Sequence, residues 1–342
     1  MADPPGGEPA AYQPQVAAQS SYLTIRGLRY HLREWRTGTQ DTAGAAAVGG
    51  SASAASSADS SAPLLVMLHG WMDVSASFQF VVDALERRWR VVAPDWRGFG
   101  LSEGAPGREW SVDGYAFADY FGDLDALLEQ LSPDAPVRLV AHSMGGNIAM
   151  LYAGMRPGRV AGLVNLEGFG MPATDPAKAV ERYRRWLDEL REPVRLRPYA
   201  TLEDVAARLM RNNPRLPRAK AQFLAAHWAR PLRPGEPTVS GQTEADAPSG
   251  YVLRADPAHK RVNPVPYRVD EALSCWAAAT APVLWVTATE RSAFHRFTQT
   301  EEYRRRLTAI ARLNEVEVAE AGHMLHHDQP ERLARLIEDF FQ

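Results

Sequence analysis

The sequence predicts an α/β fold: a mostly parallel central sheet, helices on both of its faces, and a mainly helical cap inserted after the sixth strand. Three observations carry this expectation. From about residue 63 to residue 171, apolar runs of strand length alternate with stretches of helical length. The alternation lapses between about residues 172 and 275, where the chain is helical in pattern and rich in Arg and Pro. It resumes with "APVLWVTATE" and "RLNEVEVAEAGH" and closes on the helix "PERLARLIEDFF". Continuous apolar runs, rather than alternating ones, mean strands buried on both faces, as βαβ crossovers produce.

The elements follow in order. Residues 1–20 are rich in Pro, Ala, Gly and Gln and are expected to be disordered or loosely draped. "SYLTIRGLRYHLREW" alternates apolar and polar residues on both sides of Arg26-Gly27, the pattern of a β-hairpin. Residues 39–62 are of low complexity and read as a flexible surface insertion. "PLLVMLHG" is a buried strand, "SFQFVVDALERR" a helix, "WRVVAPDWRG" a strand and "GYAFADYFGDLDALLEQL" a helix. "VRLVAHS" is the next strand, "GGNIAMLYAGMRPG" its helix, and "VAGLVNLEG" the strand before the lapse. The core is therefore expected over residues 21–171 and 276–342, and the cap over 172–275.

At 342 residues and 45% hydrophobic content, the chain can bury one large core. A net charge of -3 carries no polybasic footprint, so neither a nucleic acid nor a membrane is an expected partner. The single cysteine, Cys275, excludes an internal disulfide and fits a reducing compartment. "MADPPGGEPAAYQPQ" has neither a basic nor an apolar signal region, and no apolar run reaches about 18 residues. A soluble cytoplasmic protein is expected.

The chemistry is written most plainly in "VRLVAHSMGGNIAMLYA", residues 137–153. A strand, then x-Ser-x-Gly-Gly, then a helix is the layout of a nucleophile elbow. Ser143 must sit on a strained turn, and its neighbours two positions away, Ala141 and Gly145, must be small because strand and helix pass closely there. The helix N-terminus behind the serine favours a developing anion. The loop after "VMLHG" supplies a second anion donor in such sites, so the backbone N–H groups of Trp71 and Met144 are the candidate oxyanion hole. His69 is expected to organise that loop by hydrogen bonding. His323, directly after a strand and Gly322, is the candidate general base and acid, ahead of His326 and His327.

"HGW", "PDWRGFGLS", "AHSMGG" and "AGHMLHHDQPE", in this order, resemble the α/β-hydrolase superfamily from about residue 22 to the C-terminus, within it the capped serine-hydrolase-like, esterase-type proteins. "LVNLEGFGMP" is similar to the matching segment of haloalkane dehalogenases. Those enzymes and epoxide hydrolases carry aspartate at the elbow, where this chain has Ser143. The resemblance implies a carboxylate partner for His323. The common family position lies after "PVLWVTA" in a Gly-x-x-Asp pattern, but the chain offers Ala288-Thr289-Glu290-Arg291 there. Some haloalkane dehalogenases place the acid where Glu167 stands. Glu167 is therefore the first candidate and Glu290 the alternative.

The reading is a serine hydrolase cleaving a small-molecule carboxylic ester or related acyl compound, with no cofactor and no metal. Trp71 and His142 are candidate substrate contacts. The cap aromatics, among them Tyr183, Tyr199, Phe223 and Trp228, serve either a pocket or the cap's own core. Two alternatives stay open: a cofactor-free dioxygenase or C–C bond hydrolase on the same scaffold, and a non-catalytic binding protein.

Overall fold

A computed structural model of the chain describes residues 10–38, 62–104, 112–239, 241, 249–290 and 297–342. An eight-stranded sheet runs through it in the order β1-β2-β4-β3-β5-β6-β9-β10. Strands β1 (Gln19–Ile25) and β2 (Leu28–Arg36) form the expected hairpin, and Arg26 and Gly27 both take positive φ at its turn. The two-residue turn with φ > 0 at both positions matches the strand twist. β2 also pairs antiparallel with β4 (Arg90–Pro94). Strands β3 (Leu64–Leu68), β5 (Val137–His142), β6 (Val160–Leu166), β9 (Val283–Ala288) and β10 (Leu313–Val318) continue it in parallel.

Both sheet faces are covered, as the continuous apolar strands require. On one face lie helices α2 (Phe117–Leu131), α3 (Met144–Met155) and α7 (Val269–Ala278), packed around Trp96, Leu127, Ile148 and Trp276. On the other lie α1 (Gln79–Asp83) and the C-terminal helix Pro330–Phe340, around Val81, Leu284 and Ile337. The central helix α3 is buried from Gly145 to Ala153, which is why its sequence is apolar on all sides. A Cβ on its Gly154 would lie 1.8 Å from the Cys275 carbonyl, so α3 and α7 cross almost in backbone contact.

Between β6 and β9 the chain leaves the sheet. It forms helices α4 (Ala179–Arg191), α5 (Leu202–Asn212) and α6 (Arg218–Trp228), with a small core of Val205, Leu209, Leu224 and Tyr199. Tyr199 therefore serves packing, and Phe223 stacks edge-on with Tyr12. Tyr183 is 48% exposed on α4, none of whose residues is buried. Two details differ from the sequence expectation. The excursion contains a short antiparallel pair, β7 (Ala229–Pro231) and β8 (Tyr251–Leu253), too brief to show a period of two. The expected cap boundary at 275 falls inside α7, because Ala272 and Trp276 bury their side chains in the main core.

Residues 10–20, expected to drape loosely, are also held. The Tyr12 hydroxyl donates to Asp83, the Val16 N–H donates to Asp83 Oδ1, and Gln19 and Ser20 already belong to β1. One aromatic side chain docked on Phe80 overrides a disorder-prone composition. The low-complexity stretch lies outside the described residues except for Ala62. Among the described residues, no helix is long and apolar enough to cross a membrane.

Candidate active site

The site is built at the C-terminal ends of neighbouring strands. Ser143 follows β5 and caps α3 with φ 51° and ψ −113°, a conformation L-residues rarely adopt. Such strain costs about 1–3 kcal/mol and persists only where the surroundings enforce it. Here they do. The Ser143 N–H donates to the Leu166 carbonyl at 2.9 Å, and the Asn147 N–H closes the first helical turn on the Ser143 carbonyl at 3.0 Å. A Cβ at Gly145 would meet the Leu68 carbonyl oxygen at 2.3 Å, and one at Gly146 would meet Asn165 Oδ1 at 2.5 Å. Both glycines are demanded by this close approach, while the methyl of Ala141 is fully buried without conflict.

Glu167 follows β6 and is the second non-glycine residue of the site in the left-handed region, at φ 58°. Its turn is clamped by Asn165, whose Oδ1 accepts from the Gly168 N–H at 2.8 Å and whose amide donates to the Gly168 carbonyl at 3.2 Å. The buried carboxylate accepts from the Ala288 N–H at 2.7 Å through Oε1. Through Oε2 it lies 3.2 Å from His323 Nδ1. The other ring nitrogen, His323 Nε2, is 3.0 Å from Ser143 Oγ. The loop after β10 thus brings His323 back across the sheet to two strands nearer its centre.

Of the two candidate acids, only Glu167 reaches His323 in this way. Glu290 is exposed and forms an ion pair with Arg215 of the α5–α6 connection. Its backbone N–H donates to the Ala321 carbonyl, so the residue ties the β9 and β10 ends together. Arg291, where the common pattern has its acid, lies outside the described residues.

The other predicted residues gather around the serine. A Cβ at Gly70 would stand 3.2 Å from the Ser143 Cβ, so the backbone of this loop lies against the nucleophile position. Trp71 is 52% exposed beside it. Met144 is the first residue of α3, where helix N–H groups lack intrahelical acceptors. His69 organises the loop as expected: Nδ1 pairs with the Gly70 carbonyl at 2.7 Å, and Nε2 accepts from the Trp96 N–H at 2.9 Å. Burial pushes its pKa down to about 4. His142 lies buried behind the serine, and its Nε2 pairs with the His323 carbonyl at 2.8 Å. That places it as a support of the His323 loop.

Sequence reading passed over two groups. Asn165 positions the Glu167 turn, and its signal was an uncompensated amide in an otherwise apolar strand. Asp73, two residues after Trp71, is buried, and burial pushes its pKa up to about 7 against the bonds it accepts from Ser77 and the Val74 N–H. Chemically, the arrangement aligns a hydroxyl, an imidazole and a carboxylate so that a proton can leave the oxygen as it attacks.

Comparison with known proteins identifies the fold and the family. The chain is 29% identical over 289 residues to a serine hydrolase-like protein of Danio rerio, which covers 81% of each chain. It is 34% identical over 130 residues to epoxide hydrolase 2 of Siraitia grosvenorii, a match to 38% of this chain and 40% of that one. Among solved structures it is similar to the thioesterase domain from the curacin biosynthetic pathway (TM-score 0.73, 22% identity, 94% of this chain and 99% of that one). It is also similar to naproxen esterase from Bacillus subtilis (TM-score 0.57, 19% identity, 96% and 93%). Residues 63–330 match the family model described as the alpha/beta hydrolase fold, and the chain belongs to that family.

Proposed function

We propose that the protein is a serine hydrolase acting on a carboxylic ester or a related acyl compound. The single observation that supports this most is the continuous line from Ser143 Oγ through His323 to Glu167, at 3.0 and 3.2 Å. Ser143 attacks the acyl carbonyl while His323 Nε2 takes its proton. Glu167 holds the Nδ1–H tautomer and stabilises the imidazolium that forms. The backbone N–H groups of Trp71 and Met144 receive the oxyanion, each worth roughly 3–4 kcal/mol in such sites. The imidazolium then protonates the leaving alcohol. In the second half, His323 deprotonates a water that attacks the acyl-enzyme, and Ser143 is regenerated. The helices between β6 and β9 act as a cap that bounds the substrate.

Epoxide hydrolysis, suggested by the name of the Siraitia relative, meets a serine where the enzymes it resembles carry aspartate. The acyl reading is tested by labelling with a fluorophosphonate, on the wild type and on Ser143→Ala. Labelling of the wild type alone is expected. A folded wild type that takes no label would sink the reading and favour the dioxygenase or binding alternatives.

A further inference from the structure

A few ångströms behind the Ser143–His323 line lies a second group of histidines and a carboxylate with no assigned task. Asp73, His142 and His326 are all buried, and one donor atom from each lies within 4.8 Å of the others. Among the described residues, Asp73 Oδ2, His142 Nδ1 and both ring nitrogens of His326 lack hydrogen-bond partners, and the unpaired Trp228 indole N–H is the one donor that acts on the Asp73 carboxylate from the cap side. His326 Nε2 and Asp73 Oδ2 are 3.9 Å apart, and the His142 and His326 ring centroids are 4.4 Å apart. Buried polar atoms left unpaired in this way are costly, and several converging on one point call for an occupant.

The tautomers say what the occupant must be. His142 Nε2 faces the His323 carbonyl at 2.8 Å, and a carbonyl only accepts, so the ring proton sits on Nε2. Its Nδ1 therefore carries a lone pair, with no hydrogen-bond partner among the described residues. His326 can offer a lone pair as well, since neither of its nitrogens is committed. Burial holds both imidazoles in the neutral, ligating form.

We propose that Asp73 Oδ2, His142 Nδ1 and His326 Nε2 form a binding site for a divalent cation of zinc type, with a water as the fourth ligand. Two imidazoles and one carboxylate are a common zinc donor set. The bond from His142 Nε2 to a backbone carbonyl is the supporting contact that orients such a ligand. As they stand, one donor atom from each residue lies within 4.8 Å of the others. Zinc bonds of about 2.0–2.1 Å bring the ligands to about 3.4 Å from one another. Binding therefore draws the three side chains together. Asp73 lies on the loop that carries Trp71, and His142 holds the carbonyl of His323. The ion thus acts on the active site through its scaffold, without touching Ser143, and lowers turnover rather than substrate affinity.

The test is titration of zinc ions into chelator-treated full-length protein, read by calorimetry, for the wild type, Ser143→Ala, Asp73→Asn and His326→Gln. One ion per chain is expected in the wild type and in Ser143→Ala, with affinity falling at least ~30-fold in the other two. Zinc-edge X-ray absorption of the loaded wild type is expected to show two imidazole ligands, and it decides the matter even if a variant fails to fold. In the wild type, the ion is expected to lower kcat at constant KM. A wild type that takes up no zinc at millimolar concentration overturns the site and leaves a water as its occupant. Equal affinity in Asp73→Asn, or one imidazole in the absorption spectrum, places the ion elsewhere and also overturns it. The binding readouts need no turnover, so they stand apart from the fate of the hydrolase reading.

Discussion

Two histidine–carboxylate groups lie side by side in this molecule, and they are built oppositely. In the first, His323 is engaged on both ring nitrogens and Glu167 on both oxygens. In the second, one nitrogen of His142, both of His326 and one oxygen of Asp73 have no hydrogen-bond partner among the described residues. The first set is complete within the protein and can hold a proton relay in register. The second leaves several atoms without partners among the described residues, which is the ground for the proposed cation site. Similar residue types in similar burial thus support different physics, and hydrogen-bond completeness is what separates them.

The largest expected contrast is between the two candidate acids. In a Ser-His-acid triad, turning the orienting carboxylate into its amide costs about 10⁴ in kcat. Glu167→Gln is expected to lose on the order of 10³–10⁴ in ester turnover, about 4–5 kcal/mol. Glu290→Gln is expected to stay within about threefold, since its carboxylate is spent on Arg215. Steady-state kinetics on both variants checks this. Equal losses would mean that the first group is not self-contained.

Next comes the pH dependence of folding. Burial pushes His69 down to about 4, and His259 and His327 to about 3, all from 6.5. Each is neutral when folded and charged when unfolded between those values and 6.5. The unfolded state then binds more protons, so stability is full above pH 6.5 and is lost as pH falls. Asp73, raised to about 7, works against this by one proton in the same window. The net of just under two protons gives a slope of about 2.5 kcal/mol per pH unit near pH 5. Urea midpoints at pH 7, 6 and 5 measure it, and a flat profile would mean these rings are hydrated in solution.

The smallest effect concerns Asp73 itself. A carboxyl whose folded pKa lies above its unfolded one stabilises the fold only while protonated, and that contribution is lost as pH rises through about 7. Asp73→Asn keeps an acceptor for Ser77 and the Val74 N–H but cannot ionise. Its stability relative to wild type is therefore expected to improve from pH 6 to pH 8 by about 1 kcal/mol. Chemical denaturation in chelator at both pH values reads this, and an opposite trend would mean that Asp73 is held ionised.

The sequence by itself determined the sheet and the strand-turn-helix corner that carries Ser143. Ser143, Gly145 and His323 are legible because strand-turn-helix geometry tolerates few residue types there, and apolar periodicity is a local property. The hairpin at Arg26-Gly27 is legible for the same reason. Other features required the folded chain. Whether Glu167 or Glu290 meets His323 depends on where a loop from the far sheet edge lands, and no local spacing encodes that distance. The docking of Tyr12 on Phe80 joins residues 68 positions apart in a segment whose composition points to disorder. Asp73, His142 and His326 come together only because three separate segments converge in the interior. Local patterns fix what each segment can become; long-range packing alone decides which polar atoms find partners.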